Sequence, residues 1–149
     1  MIEVCRTIRT PPERIFAVLA DGWSYASWVV GAAHIRAVDD GWPAVGTRVH
    51  HRLGPWPLQL EDQTVVREME PNRLLELEAH AGPFGVARVR LILEPISDTT
   101  TRVRMGWRAA AGFARLVPEA VMSVVLRARN AETLHRVDDI ATHRRLRAA

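Results

Sequence analysis

Two segments of this chain alternate between a mostly apolar and a mostly charged set of side chains, and that pattern limits the fold more than any other feature. Val86 to Glu94 sets Ala87, Val89, Leu91 and Leu93 on one side and Arg88, Arg90, Ile92 and Glu94 on the other. Thr101 to Ala109 repeats the pattern, with Thr101, Val103, Met105 and Trp107 against Arg102, Arg104 and Arg108. Successive strand side chains point to opposite faces, so each segment predicts a strand with one dry and one wet face. Half-covered antiparallel sheets have that surface, whereas parallel sheets are buried on both sides. A dry face must be covered by a second layer.

Only the last segment is long enough to be the cover. Pro118 to Leu146 predicts a helix, with Met122, Leu126, Asn130, Thr133, Val137 and Ile140 on one stripe at spacings of three and four. Pro118 suits the first helical position, and Glu119 sits beside the positive end of the helix dipole. At about 1.5 Å per residue such a helix spans a domain.

The rest of the chain supplies the remaining strands. Ile2 to Arg9 predicts a first strand. In Thr10-Pro11-Pro12-Glu13, Thr10 suits an N-cap, Pro11 the first helical position and Glu13 the closing residue of a capping box. A helix over Arg14 to Ala20 follows, with Ile15, Phe16, Val18 and Leu19 apolar, and Asp21-Gly22 breaks it. A second short helical turn holds Trp23 to Trp28 and ends at Gly31. Further strands are predicted over Ala33–Val38, Gly46–Leu53, Leu58–Met69 and Arg73–His80. Their turns are Asp39-Asp40-Gly41, the corner Gly54-Pro55-Trp56-Pro57, Pro71-Asn72, Ala81-Gly82-Pro83 and Ser97-Asp98. In the long strand, Leu58 and Leu60 favour one face while Val65 and Met69 favour the other, which a β-bulge between them reconciles. The order is one strand, two short helices, six strands and one long helix.

At 149 residues, with no internal repeat or linker, the chain reads as one domain over 1–149. That length buries a core without disulfides or metals. Cys5 is the only cysteine, so no intrachain disulfide can form. No apolar run approaches the roughly 20 residues of a membrane span, and the first residues lack the charged and apolar regions of a signal peptide. A cytoplasmic protein with no integral membrane segment is expected. All twenty basic residues are arginine, a bacterial-type composition that GC-rich coding explains. The net charge is only +3, and acids interleave with the arginines. The one dense basic cluster, His143-Arg144-Arg145-Leu146-Arg147, reads as a solvated helix end rather than a nucleic-acid footprint. No nucleic-acid partner is expected.

Four motifs resemble the START-like (SRPBCC) superfamily, whose helix-grip fold is also that of the birch-pollen allergen. The opening Arg6-Thr7-Ile8-Arg9-Thr10-Pro11-Pro12-Glu13-Arg14-Ile15-Phe16 is similar to the family's first strand and Pro-Pro-Glu helix start. Tyr25-Ala26-Ser27-Trp28 resembles its Tyr-x-x-Trp pattern, and Val66-Arg67-Glu68-Met69-Glu70-Pro71-Asn72-Arg73-Leu74 its Val-x-Glu-x-x-Pro-x-Arg-Leu hairpin. Arg129-Asn130-Ala131-Glu132-Thr133-Leu134 fits the closing helix. The likeness is nearest to the polyketide cyclase/dehydrase-like branch. It implies an α+β helix-grip fold, in which a seven-stranded curved antiparallel sheet wraps around the C-terminal helix and two short helices follow strand 1. It also implies a cavity for lipid-, polyketide- or aromatic-type ligands, and in some members aromatase/cyclase activity.

The candidate cavity walls are Trp28, Val89, Leu91, Val103, Met105, Trp107, Met122 and Leu126, with His51 and Asn130 as polar handles. Trp28 and Trp107 are aromatic walls or core filling; Trp42 and Trp56, next to prolines, are rim residues or corner packing. His50 and His51 point to opposite faces and cannot chelate one metal. His51 shares a face with Val49 and Leu53, so it is either an acid–base group or a core histidine bonded to a neighbour. Asp62 is a catalytic candidate if it shares the face of Leu60 and Thr64, and otherwise a surface acid. Asn130 bonds either a ligand carbonyl or a loop backbone. No zinc-ligand spacing, phosphate loop or nucleophile elbow occurs, so neither metal nor cofactor is expected. Three functions remain: a binding protein for a small hydrophobic molecule, a cyclase/dehydrase-type enzyme using the same cavity, or an interaction module without ligand.

Overall fold

The computed structural model describes residues 2–29, 32–53, 60–80 and 85–148. The elements run β1 (Ile2–Ile8), α1 (Pro12–Leu19), a 3-10 turn (Gly22–Ser24), α2 (Tyr25–Trp28), β2 (Ala32–Val38), β3 (Arg48–Leu53), β4 (Leu60–Glu70), β5 (Leu74–His80), β6 (Val86–Ser97), β7 (Thr100–Ala111), a second 3-10 turn (Phe113–Leu116) and α3 (Glu119–Ala148). The expected turns at Gly31, Gly54–Pro57 (with Trp56) and Ala81–Pro83 lie outside the described residues.

The strands form one seven-stranded antiparallel sheet in the order β1-β7-β6-β5-β4-β3-β2. Every neighbour except β1 and β7 follows in sequence, so hairpins build most of the sheet and the first strand closes it against the last. The sheet curves around α3, giving the helix-grip α+β fold that the element order implies.

Both alternating segments orient as read. Leu91, Leu93, Val103, Met105 and Trp107 are buried. The opposite face carries a ladder of ion pairs: Arg104 to Glu3 and Glu94, Arg88 to Glu76 and Glu78, and Arg67 to Glu78. This ladder is where the interleaved arginines and acids of the sequence meet. The β4 register shifts between Val66 and Glu68, so Thr64 and Val66 share the dry face with Met69 further along.

The start of α1 differs from expectation. The helix begins at Pro12, with Pro11 as N-cap and no side-chain capping bond. Two consecutive prolines move the first turn one residue on, and Thr10 is drawn into the core. Its carbonyl accepts the Thr101 hydroxyl at 2.8 Å, and its own Oγ1 has no partner.

One end of the dry face is filled. Ile15, Phe16, Val18 and Leu19 of α1 and Leu134, Val137 and Ala141 of α3 pack on Leu75, Leu91, Leu93 and Val103. Arg6, on the inner side of edge strand β1, pairs with Asp138 of α3 at 2.8 Å and ties helix to sheet. Toward its N-terminus α3 turns Leu126, Arg129 and Thr133 to the sheet. Branched apolar side chains there, Val121, Val124 and Val125, are exposed. That end is left hollow.

Candidate functional site

The hollow is a cavity of about 180 Å³ between sheet, α2 and α3. Tyr25, Trp28 and Val29 line it from the α2 side, and Leu126, Arg129 and Thr133 from α3. The sheet contributes His51, Leu77, Ala79, His80, Ala87, Val89, Met105 and Trp107. The lining is mostly apolar; its polar side chains are His51 and His80 of the sheet, Arg129 and Thr133 of α3, and Tyr25 at the α2 end.

At that end a buried hydrogen-bonded chain joins three elements. The Tyr25 hydroxyl lies 2.8 Å from Thr64 Oγ1, and His51 Nε2 lies 2.9 Å from the same oxygen. The Tyr25 ring stacks on the His51 imidazole at 5.4 Å and meets Trp28 edge-on at 5.2 Å. His51 is 1% exposed and Thr64 fully buried. Burial holds the His51 pKa down at about 4 despite the opposing charge of Asp62, while His50, Arg36 and His80 depress it further. The imidazole is therefore neutral near pH 7. Burial also raises the Tyr25 pKa, against the opposing Thr64 hydrogen bond and Arg129 charge, and lowers that of Arg129, against Tyr25.

Of the residues named from sequence, Trp28, His51, Val89, Met105, Trp107 and Leu126 meet at this cavity. Leu91 and Val103 share their face but sit in the packed end, each 1% exposed. Met122 lines a second hollow of about 230 Å³ with Ile2, Ala109 and Arg115. Trp107 borders both spaces. Asn130 is fully buried in α3 beside the cavity lining, with Oδ1 at 3.5 Å from the Arg129 guanidinium and no partner for Nδ2. Asp62 lies opposite His51 across the β3–β4 ladder, half-buried, and its Oδ1 accepts the Gln63 backbone N–H at 2.8 Å. The hydrogen-bond partner of His51 is Thr64 rather than Asp62. Trp42 packs at a corner, donating to the Leu19 carbonyl at 3.2 Å, and Trp23 is 61% exposed and does not line the cavity.

Sequence reasoning missed Tyr25, Thr133 and Arg129 at the cavity. Tyr25 belonged to a motif already singled out, and Arg129 and Thr133 flank Asn130 on the helix. Spacing alone could have found the two helix residues, because Arg129 is three residues from Leu126 and Thr133 four further on, which puts all three on one face. Among the described residues no group of three or more His, Cys, Asp or Glu side chains is placed to hold a metal ion. No helix among them is long and apolar enough to cross a membrane.

Comparison with known proteins points the same way. The family model described as "Polyketide cyclase / dehydrase and lipid transport" matches residues 1–141. A START superfamily protein from Mycobacterium smegmatis superposes with a TM-score of 0.75 at 10% identity, covering 95% of this chain and 97% of that one. The Zhui aromatase/cyclase from Streptomyces sp. R1128 gives 0.70 at 17% identity over 96% and 93% of the two chains. Ara h 8.0201 gives 0.66 at 12% identity over 95% and 96%. No curated protein sequence matches. At these identities the structural neighbours establish the fold, and the family model establishes membership: the chain belongs to the polyketide cyclase/dehydrase and lipid transport family.

Proposed function

We propose that this chain is a single-domain cytoplasmic protein that binds a small hydrophobic molecule in the cavity between the sheet and α3. Trp28, Val89, Met105, Trp107 and Leu126 form its walls and His51 is a polar handle. Leu91 and Val103 are the packed floor behind it, and Met122 and Asn130 support the helix above. The observation that carries this reading is a mostly apolar hollow, walled by two tryptophans, between the sheet and α3 beside a packed core. A ligand of one aromatic ring that buries about 200 Å² gains roughly 5 kcal/mol at 25 cal/mol per Å². That corresponds to a dissociation constant on the order of 0.1 mM before polar contacts are added.

A cyclase/dehydrase-type activity is the second reading, favoured by the Tyr25–Thr64–His51 chain. A neutral imidazole at the cavity wall can relay a proton to a bound carbonyl. His51 has Thr64 on Nε2 and no protein partner on Nδ1, so no carboxylate is hydrogen-bonded to the imidazole, which favours binding as the primary role.

The test is a titration of 4-phenyl-2-butanone followed by tryptophan fluorescence, in the unaltered protein and in Leu126→Trp, which fills the cavity. Saturable binding that is lost in the folded variant supports the reading. Unchanged binding in the variant places the site elsewhere.

A further inference from the structure

Three polar atoms on residues that line the cavity have no partner within the protein: Trp28 Nε1, His51 Nδ1 and Thr133 Oγ1. Each of these residues is 1% exposed. Buried polar groups are nearly always hydrogen-bonded, so three orphans around one hollow mark a place where a ligand or water completes the bonding. Their chemistry decides which kind of atom fits.

The indole Nε1–H is a donor and nothing else. The His51 tautomer follows from counting protons along the buried chain. Thr64 has one hydroxyl proton and two neighbours. If His51 Nε2 donates to Thr64, the Thr64 proton goes to Tyr25, and the Tyr25 proton and the His51 Nδ1 lone pair are both stranded. If Tyr25 donates to Thr64 and Thr64 donates to His51 Nε2, every proton of the chain is used except one, the hydrogen on His51 Nδ1. The first arrangement leaves two buried groups unmet and the second leaves one, and each unmet group is costly, so the second arrangement prevails and Nδ1 is a donor. The Thr133 hydroxyl can donate as well. Arg129, a fourth lining residue, has donors only. Among the described residues no Asp or Glu lines the cavity. This end of the cavity therefore presents donors that call for an acceptor.

We propose that the ligand carries an sp2 oxygen, as in a ketone, ester or carboxylate, which is received by Trp28, His51 and Thr133 while its apolar body lies along Val89, Met105 and Leu126. This deepens the ligand-binding reading and rests on it. An apolar cavity of about 150 Å³ accommodates benzene, so 180 Å³ suits one ring with a short chain bearing the acceptor.

The experiment compares four probes of similar shape by calorimetry: butylbenzene, 4-phenylbutan-2-ol, 4-phenyl-2-butanone and 3-phenylpropionate. A wholly apolar pocket prefers butylbenzene, the compound water solvates least. A donor-lined pocket reverses the order, with the ketone or the carboxylate at least about tenfold tighter than butylbenzene, and the alcohol between. The ketone and carboxylate arms distinguish a neutral from an anionic acceptor, and tighter binding of either supports the inference. Thr133→Val, which keeps the shape and removes the hydroxyl, weakens the ketone several-fold and leaves butylbenzene within about twofold. It also raises the Tm of the empty protein, because an orphaned polar group has gone. Trp28→Phe repeats the ketone-selective loss at the second donor. Butylbenzene binding as tightly as the ketone overturns the inference and leaves the ligand-binding reading standing. If none of the four binds, both fall.

Discussion

Thr64 is the joint of the buried polar chain, and removing its hydroxyl should be far costlier than its size suggests. Thr64→Val preserves volume but deprives both the Tyr25 hydroxyl and His51 Nε2 of their partner, at 2.8 and 2.9 Å. Thr64 is fully buried and His51 nearly so, so neither group regains bulk water readily. An unsatisfied buried polar group costs about 1–3 kcal/mol, which for two groups places Thr64→Val at about 2–6 kcal/mol. Tyr25→Phe removes only the first donor and leaves Thr64 free to serve His51, so it should cost about 1 kcal/mol. The double variant then strands only His51, and its cost should fall below the sum of the two single changes, the sign of groups in one network. Urea denaturation of the four proteins gives these values from midpoints and slopes. If Thr64→Val lies within about 0.5 kcal/mol of the unaltered protein, or if the two changes simply add, the chain is not a coupled unit and the tautomer assigned to His51 loses its basis.

Two further outcomes follow from burial. Because the His51 pKa is lowered to about 4, the unfolded state takes up a proton between pH 6.5 and pH 4 while the folded state does not. Its contribution to stability is therefore constant above about pH 6.5, falls as the pH drops through that window by at most about 3 kcal/mol, and levels off below pH 4. An NMR titration of the His51 ring with a midpoint near 6.5 would refute this. In the sheet, Leu91→Ala should cost about 2–4 kcal/mol because the residue is 1% exposed among core side chains. Arg90→Ala, whose ion pairs to Glu68 and Glu76 are 4.0 and 3.9 Å long, should cost less than about 1 kcal/mol. A reversed ranking in chemical denaturation would invert the two faces of β6.

The legible and illegible parts of this molecule divide along a physical line. Alternation in β6 and β7 says which face is dry, because the side-chain period of a strand is two. From that, the covering helix and the antiparallel sheet followed. Alternation does not say how far along the strand the cover touches. Val89 and Leu91 are two residues apart on one face, yet the first lines the cavity and the second is sealed in the core. The difference comes from α1 and the C-terminal half of α3, which fill one end, and from the N-terminal half of α3, which brings fewer large apolar groups to the other. The same limit applies to polar residues. His51 read as inward from its neighbours Val49 and Leu53, but its partnership with Thr64 depends on the β3–β4 register, which no local pattern specifies. The Thr10 capping box failed because two consecutive prolines start the helix at Pro12, leaving Thr10 buried with its carbonyl accepting the Thr101 hydroxyl.

The central claim, that this cavity is where a ligand binds, is tested most directly by the indole N–H resonances of the five tryptophans. Trp28 and Trp107 line the cavity. Trp42 donates to the Leu19 carbonyl and Trp23 is 61% exposed, so both serve as internal controls. On titration of ¹⁵N-labelled protein with 4-phenyl-2-butanone, the Trp28 and Trp107 signals should move with one saturating curve, Trp28 toward lower field as its N–H gains an acceptor, while Trp23 and Trp42 stay in place. Saturable binding that shifts Trp23 or Trp42 and leaves Trp28 and Trp107 unmoved would contradict the account.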